Sequence, residues 1–81
     1  MAKYFFHLRD GTDQLLDPEG RSMPYGEIAA AALAEARSLV AADVLTGHIK
    51  LDQRIEVEDG TGAVVHRLDF ADAVRITPPA P

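Results

Sequence analysis

The side chains with the widest chemical reach in this chain are three histidines, His7, His48 and His66, and two sets of carboxylates. Asp10, Asp13, Asp17 and Glu19 fall close together, and Glu56, Glu58 and Asp59 flank a later Gly-rich turn. Histidines joined by a carboxylate are zinc-type ligands, and a catalytic zinc takes three protein ligands. Several carboxylates around a turn are what a hard cation such as calcium needs. The pattern argues against both. His7 and His66 fall mid-strand, and alternation sets them on opposite faces. His48 follows a helix end, where a cation is mildly favourable. The acidic residues lack the spacing of a calcium loop, and Asp and Gly are ordinary turn residues. No metal and no cofactor is expected.

Nucleophilic chemistry has even less to work with. Cysteine is absent, which removes thiolate catalysis, disulfides and cysteine-based metal sites. Asp43 falls within the apolar arc of a helix, where it reads as a rim position or as one half of an ion pair with Arg54 or Arg75. No Ser-His-Asp set accompanies it, and Gly60-Thr61-Gly62 lacks the Lys and following helix of a phosphate loop. The chain reads as a non-enzyme. Its aromatic and basic residues near the N-terminus resemble a base-stacking sheet. The balance of 8 Lys+Arg against 13 Asp+Glu, with Glu56 and Glu58 on the same outward side, argues against nucleic acid and against an anionic membrane surface.

The surface with most to offer is an outward strand face carrying Phe5, His7 and Arg9, with Val65 and either Leu15 or Leu16 beside them. An apolar patch left open on one side of a sheet marks a contact surface. The expected partner is another protein or a second copy of the chain.

These residues must be positioned by short elements. Residues 3–9 alternate as a strand, with Tyr4, Phe6 and Leu8 on one face and Phe5, His7 and Arg9 on the other. Tyr4/Phe6 and Phe5/His7 are both plausible core sets, because a shift of one residue exchanges the faces. Asp10-Gly11 is a hairpin signal, residues 14–17 the return strand, and Asp17-Pro18-Glu19-Gly20 a turn. Ser22 and Pro24 suit the start of a helix that runs regularly from about Glu27, is dense in alanine, and ends at Gly47. Residues 54–58 alternate cleanly, Asp59-Gly60-Thr61-Gly62 turns, and residues 63–70 return, although Val65 blurs the pattern. Residues 70–74 suit one helical turn. The order β-β-α-β-β implies an α+β domain over residues 1–76, with an antiparallel sheet of about four strands on one long helix. Its expected core is Tyr4 or Phe6, Leu8, Ile28, Ala32, Leu33, Ala36, Leu39, Val40, Ile55, Val57, Leu68 and Phe70. Residues 77–81 are a Pro-rich frayed tail.

At 81 residues and 47% hydrophobic content the chain is a single small domain with a thin core. The first residues lack the apolar run of a signal peptide, and no stretch suits a membrane span, so a cytoplasmic protein is expected.

The octet Tyr4-Phe5-Phe6-His7-Leu8-Arg9-Asp10-Gly11, then Asp17-x-Glu19-Gly20, the Pro before an Ala-rich helix, Arg54 to Asp59 and Phe70-x-Asp72-Ala73-Val74 carry a resemblance. Together they resemble a family of short alphaproteobacterial, rhizobial-type proteins catalogued as a domain of unknown function, over roughly residues 3–76. The resemblance implies a bacterial protein and no particular activity. The leading reading is a small interaction or self-associating module that uses an open sheet face or a free strand edge. A first alternative is an antitoxin-like regulator with a partial fold similar to the HicB class. A second is a metal- or ligand-binding protein using the histidines and acidic turns.

Overall fold

The computed structural model describes residues 1–81, and the expected architecture is present in it. Strand β1 spans Ala2–Asp10, β2 Asp13–Leu15 and β3 Arg21–Met23. A short 3-10 turn, Tyr25–Glu27, leads into helix α1, Ile28–Leu45. Strands β4, Gln53–Glu58, and β5, Val64–Asp69, follow, and α2, Phe70–Ala73, is one helical turn. The sheet is antiparallel throughout, in the order β2-β1-β4-β5, with β3 sharing the β2 side of β1.

β1 is central because β2 and β3 pair with its two ends along one side and β4 pairs with Phe5–Asp10 along the other. Phe6 opposes Val57 and Leu8 opposes Ile55, so the inward residues of β1 and β4 meet. Ile55 and Val57 are fully buried, each stabilising the fold by roughly 1.5–3 kcal/mol. Tyr4 and Phe6 are both in the core. Helix α1 sets Ile28, Ala32, Ala36 and Val40 against the sheet at four-residue spacing. Ala32 and Ala36 have no exposed surface, so their small side chains let the helix lie close to the strands. Leu8, Leu33, Leu39 and Leu68 pack half-buried at the margin of this core. Phe70 is also fully buried, and the Arg37 Nε–H donates to the Ala73 carbonyl at 2.8 Å, fastening α2 to α1.

Two segments depart from the sequence reading. Ser22 caps no helix: Arg21–Met23 is a strand paired with Ala2–Tyr4, and Pro24 is extended with φ −64° and ψ 146°. Val65 is the extra residue of a bulge, because Glu58 opposes Val64 while Val57 opposes His66. The turn before β5 is made by Gly62 at φ 87°, with the Asp59 carboxylate accepting from the Thr61 and Ala63 N–H groups. Residues 75–81 are exposed and carry no regular structure. No helix is long and apolar enough to cross a membrane.

Candidate functional site

The β2 side of β1 is interrupted. Leu8 pairs with Leu15 and Tyr4 pairs with Arg21, so Phe5 to His7 of β1 face the longer segment Leu16 to Gly20. The surplus residues are pushed out of the ladder. Phe6 lies between the two paired stretches, and its N–H would have no strand partner. The Asp17 carboxylate supplies one: Oδ2 accepts the Phe6 N–H at 3.1 Å. Its Oδ1 accepts the N–H groups of Glu19 at 3.3 Å and Gly20 at 3.1 Å, closing the turn that the Asp-Pro-Glu-Gly run encodes. Burial pushes the Asp17 carboxyl up, but those three N–H donors and the nearby Arg21 charge outweigh it and hold it below the usual carboxylate range.

The same segment also meets the outer face, opposite α1, at the Asp17 N–H and at Gly20. The Asp17 N–H donates to His7 Nδ1 at 3.0 Å, which places the ring proton on Nε2, 3.4 Å from Glu58 Oε1. Gly20 has φ 72°, and a Cβ there would stand 2.9 Å from the Phe5 ring. Only glycine allows the chain to lie so close to that side chain. Phe5 and His7 stack at 6.5 Å with planes 13° apart.

Charged residues fill the rest of this face. Arg9 pairs with Glu56, lies 3.5 Å from Glu58 and bonds Gln14, while Arg54 Nε donates to Glu56 at 3.2 Å. Burial pushes the Glu56 carboxyl up, and the hydrogen bonds and charges of Arg9 and Arg54 outweigh that and hold it low.

On the helix side the cover is incomplete. α1 packs over β4 and β5, leaving a groove of about 370 Å³ between its flank and the β1–β2 edge. Phe6, Leu8, Leu15, Leu16, Pro18 and Leu39 form the apolar lining, with Asp17 and Glu35 alongside. Leu15 is 69% and Leu16 51% exposed. The Arg21 guanidinium sits 3.9 Å over the Phe6 ring and pairs with Glu35 at 3.2 Å, tying β3 to α1 beside this groove.

The expected surface is therefore divided. Phe5, His7 and Arg9 share the outer face, but Phe5 is half-buried, only 8% of His7 is exposed, and Arg9 is engaged by carboxylates. Val65 does not join them: the bulge turns it to the helix side, beside Tyr25, Ile28, Ala29 and His66. Leu15 and Leu16 also belong to the helix side rather than to the Phe5 patch. His7 and His66 lie on opposite faces, as alternation requires, and His48 is exposed after the helix. No three His, Asp or Glu side chains converge as a metal-binding group. Asp10 is paired with Lys50, whose charge that carboxylate favours, and Asp59 holds its own turn. Asp43 is half-exposed; its carbonyl accepts the N–H groups of Thr46 and His48. The groove was not anticipated. Its signal was the pair Leu15-Leu16, two successive leucines that strand alternation cannot set on one buried face; the strand ends at Leu15 and both line the groove.

Neither a curated protein nor a solved structure matches the chain. One family does, over residues 3–71, which include every strand and the whole of α1 apart from the first residue of β1. The chain belongs to the family described as a domain of unknown function, DUF6894.

Proposed function

We propose that this domain is a non-enzymatic protein-interaction module, and that its binding site is the apolar groove between α1 and the β1–β2 edge. The observation that carries the reading is the exposure of Leu15 and Leu16 at the mouth of a groove lined by Phe6, Leu8 and Leu39. Leaving two leucines in water is unfavourable by roughly 1.5–3 kcal/mol each relative to burying them, and a partner's apolar side chains would recover much of it. The occupant that fits is an apolar segment of another protein flanked by basic residues. The groove takes leucine-sized side chains, and the net charge of −5 favours approach of a cation-bearing partner. The groups that catalysis would need are occupied in holding the fold: Asp17 at the break in the sheet, and His7, Glu56 and Glu58 within the outer network.

The experiment is a paired capture from native lysate, nuclease-treated and at low salt. Wild-type bait is compared with a Leu15→Ser/Leu16→Ser bait of unchanged far-ultraviolet circular dichroism. A protein retained by the first and lost by the second supports the groove. A partner held equally by both, or none held by either, overturns it.

A further inference from the structure

A different surface carries the inference that the domain pairs with a second copy of itself. The sheet ends at β5, which has no neighbour beyond β4. Which of its backbone groups face outward follows from a chain of registers. The Phe6 N–H points to the β2 side, where it meets Asp17. Backbone groups alternate sides along an antiparallel strand. His7, the next residue, therefore bonds across to Glu56, its partner in β4. Glu56 faces β1, so Arg67, opposite it in β5, turns its N–H and C=O away from β4. The same holds for Asp69, opposite Arg54. The open edge thus offers the backbone of Arg67 and Asp69 to a further strand.

Their side chains select the strand. Arg67 and Asp69 stand on the outer face, 57% and 47% exposed, and touch each other at 3.3 Å along the strand. Opposite charges two residues apart are self-complementary about the residue between them. We propose that β5 pairs antiparallel with β5 of a second copy, on a two-fold axis through Leu68. That register sets each Arg67 opposite the partner's Asp69, with Leu68 opposite its own copy. Each Arg–Asp pair falls at a hydrogen-bonded position and exchanges both of its N–H···O bonds. Slipping the axis to Arg67 or to Asp69 sets like charges opposite each other, which is destabilising. Charges on an edge strand commonly prevent pairing. A single-sign edge would do so, whereas this one repels the shifted registers and favours one. Helix α2 starts at Phe70, so the new ladder is short and the dimer depends on concentration.

Sedimentation equilibrium of the full chain over a concentration series tests this. A monomer–dimer equilibrium is expected. Arg67→Asp and Asp69→Arg each place like charges across the axis and should weaken the dimer about tenfold or more. The double exchange Arg67→Asp/Asp69→Arg should restore it to within about threefold of wild type. Hydrogen exchange on the wild-type protein gives a readout independent of any variant: the Arg67 and Asp69 amides should slow as concentration rises through the dimer range. A chain that stays monomeric with those amides unchanged, or a dimer indifferent to both reversals, overturns the proposal.

Discussion

Replacing Asp17 with alanine tests whether one carboxylate holds the broken side of the sheet. Three backbone donors lose their acceptor: the N–H groups of Phe6, Glu19 and Gly20. They do not count equally. Glu19 is exposed and turns to water at little cost. Phe6 is a core residue with only 6% of its surface exposed, and its N–H lies beneath the displaced segment. An unsatisfied buried donor costs about 1–3 kcal/mol, and hydrogen bonds to a charged group fall at the upper end of the usual range. With a smaller share from Gly20, the expected loss is about 2–4 kcal/mol, a large fraction of the marginal stability of a small domain. Asp17→Asn keeps one acceptor oxygen and replaces the other with an NH2 group. With its oxygen turned to the Phe6 N–H it saves that bond and gives up those to Glu19 and Gly20, so it should cost about 1 kcal/mol less than the alanine variant. Urea unfolding at neutral pH, read by circular dichroism, measures both. The native carboxyl is held below its ordinary value. Its contribution is therefore present above the unfolded-state pKa and lost as pH falls through the native one. Wild type and Asp17→Asn should converge in stability in that acid range. An alanine variant within about 0.5 kcal/mol of wild type, the usual scatter of surface changes, would refute the bridging role.

Gly20→Ala should destabilise by about 2 kcal/mol or more, since the left-handed backbone alone costs an L-residue about 1–2 kcal/mol and the new Cβ meets Phe5 at 2.9 Å; thermal unfolding reads it. Phe70→Ala empties a fully buried site and should cost about 3–5 kcal/mol, measured by urea unfolding. The Leu15→Ser/Leu16→Ser variant should lie within about 1 kcal/mol of wild type, because both side chains are more than half exposed. Glu56 is also held below its ordinary value, by Arg9 and Arg54 against the opposing effect of burial. Its contribution is likewise present above the unfolded-state pKa and lost below the native one. Glu56→Gln should therefore flatten the decline in stability on acidification, followed by unfolding midpoints over an acid pH series.

Much of this fold is legible from local rules. Alternation at Tyr4, Phe6, Ile55 and Val57, the turn residues at Asp10-Gly11 and Asp59 to Gly62, and the alanine-rich run ending before Gly47 each depend on a few neighbouring positions. Backbone geometry imposes their periods wherever the segment ends up. Most core residues of α1, β4 and β5 follow from those same periods, whereas the choice of Tyr4 and Phe6 over Phe5 and His7 as the inward set of β1 was made only when β4 paired with it.

What only the tertiary structure decided comes from encounters between distant segments. β1 became central because two separate segments, β2 and β3, pair along one side of it and β4 along the other. The surplus residues between β2 and β3 left the Phe6 N–H to a side-chain carboxylate, which no alternation pattern encodes. The Val65 bulge moved one residue across the sheet by breaking the period on which its placement relied. The groove exists because α1 lies over β4 and β5 and stops short of Leu15 and Leu16. A helix axis is set by how its small residues pack on the strands beneath, so the surface it leaves uncovered is a property of the assembled layers and not of any one segment.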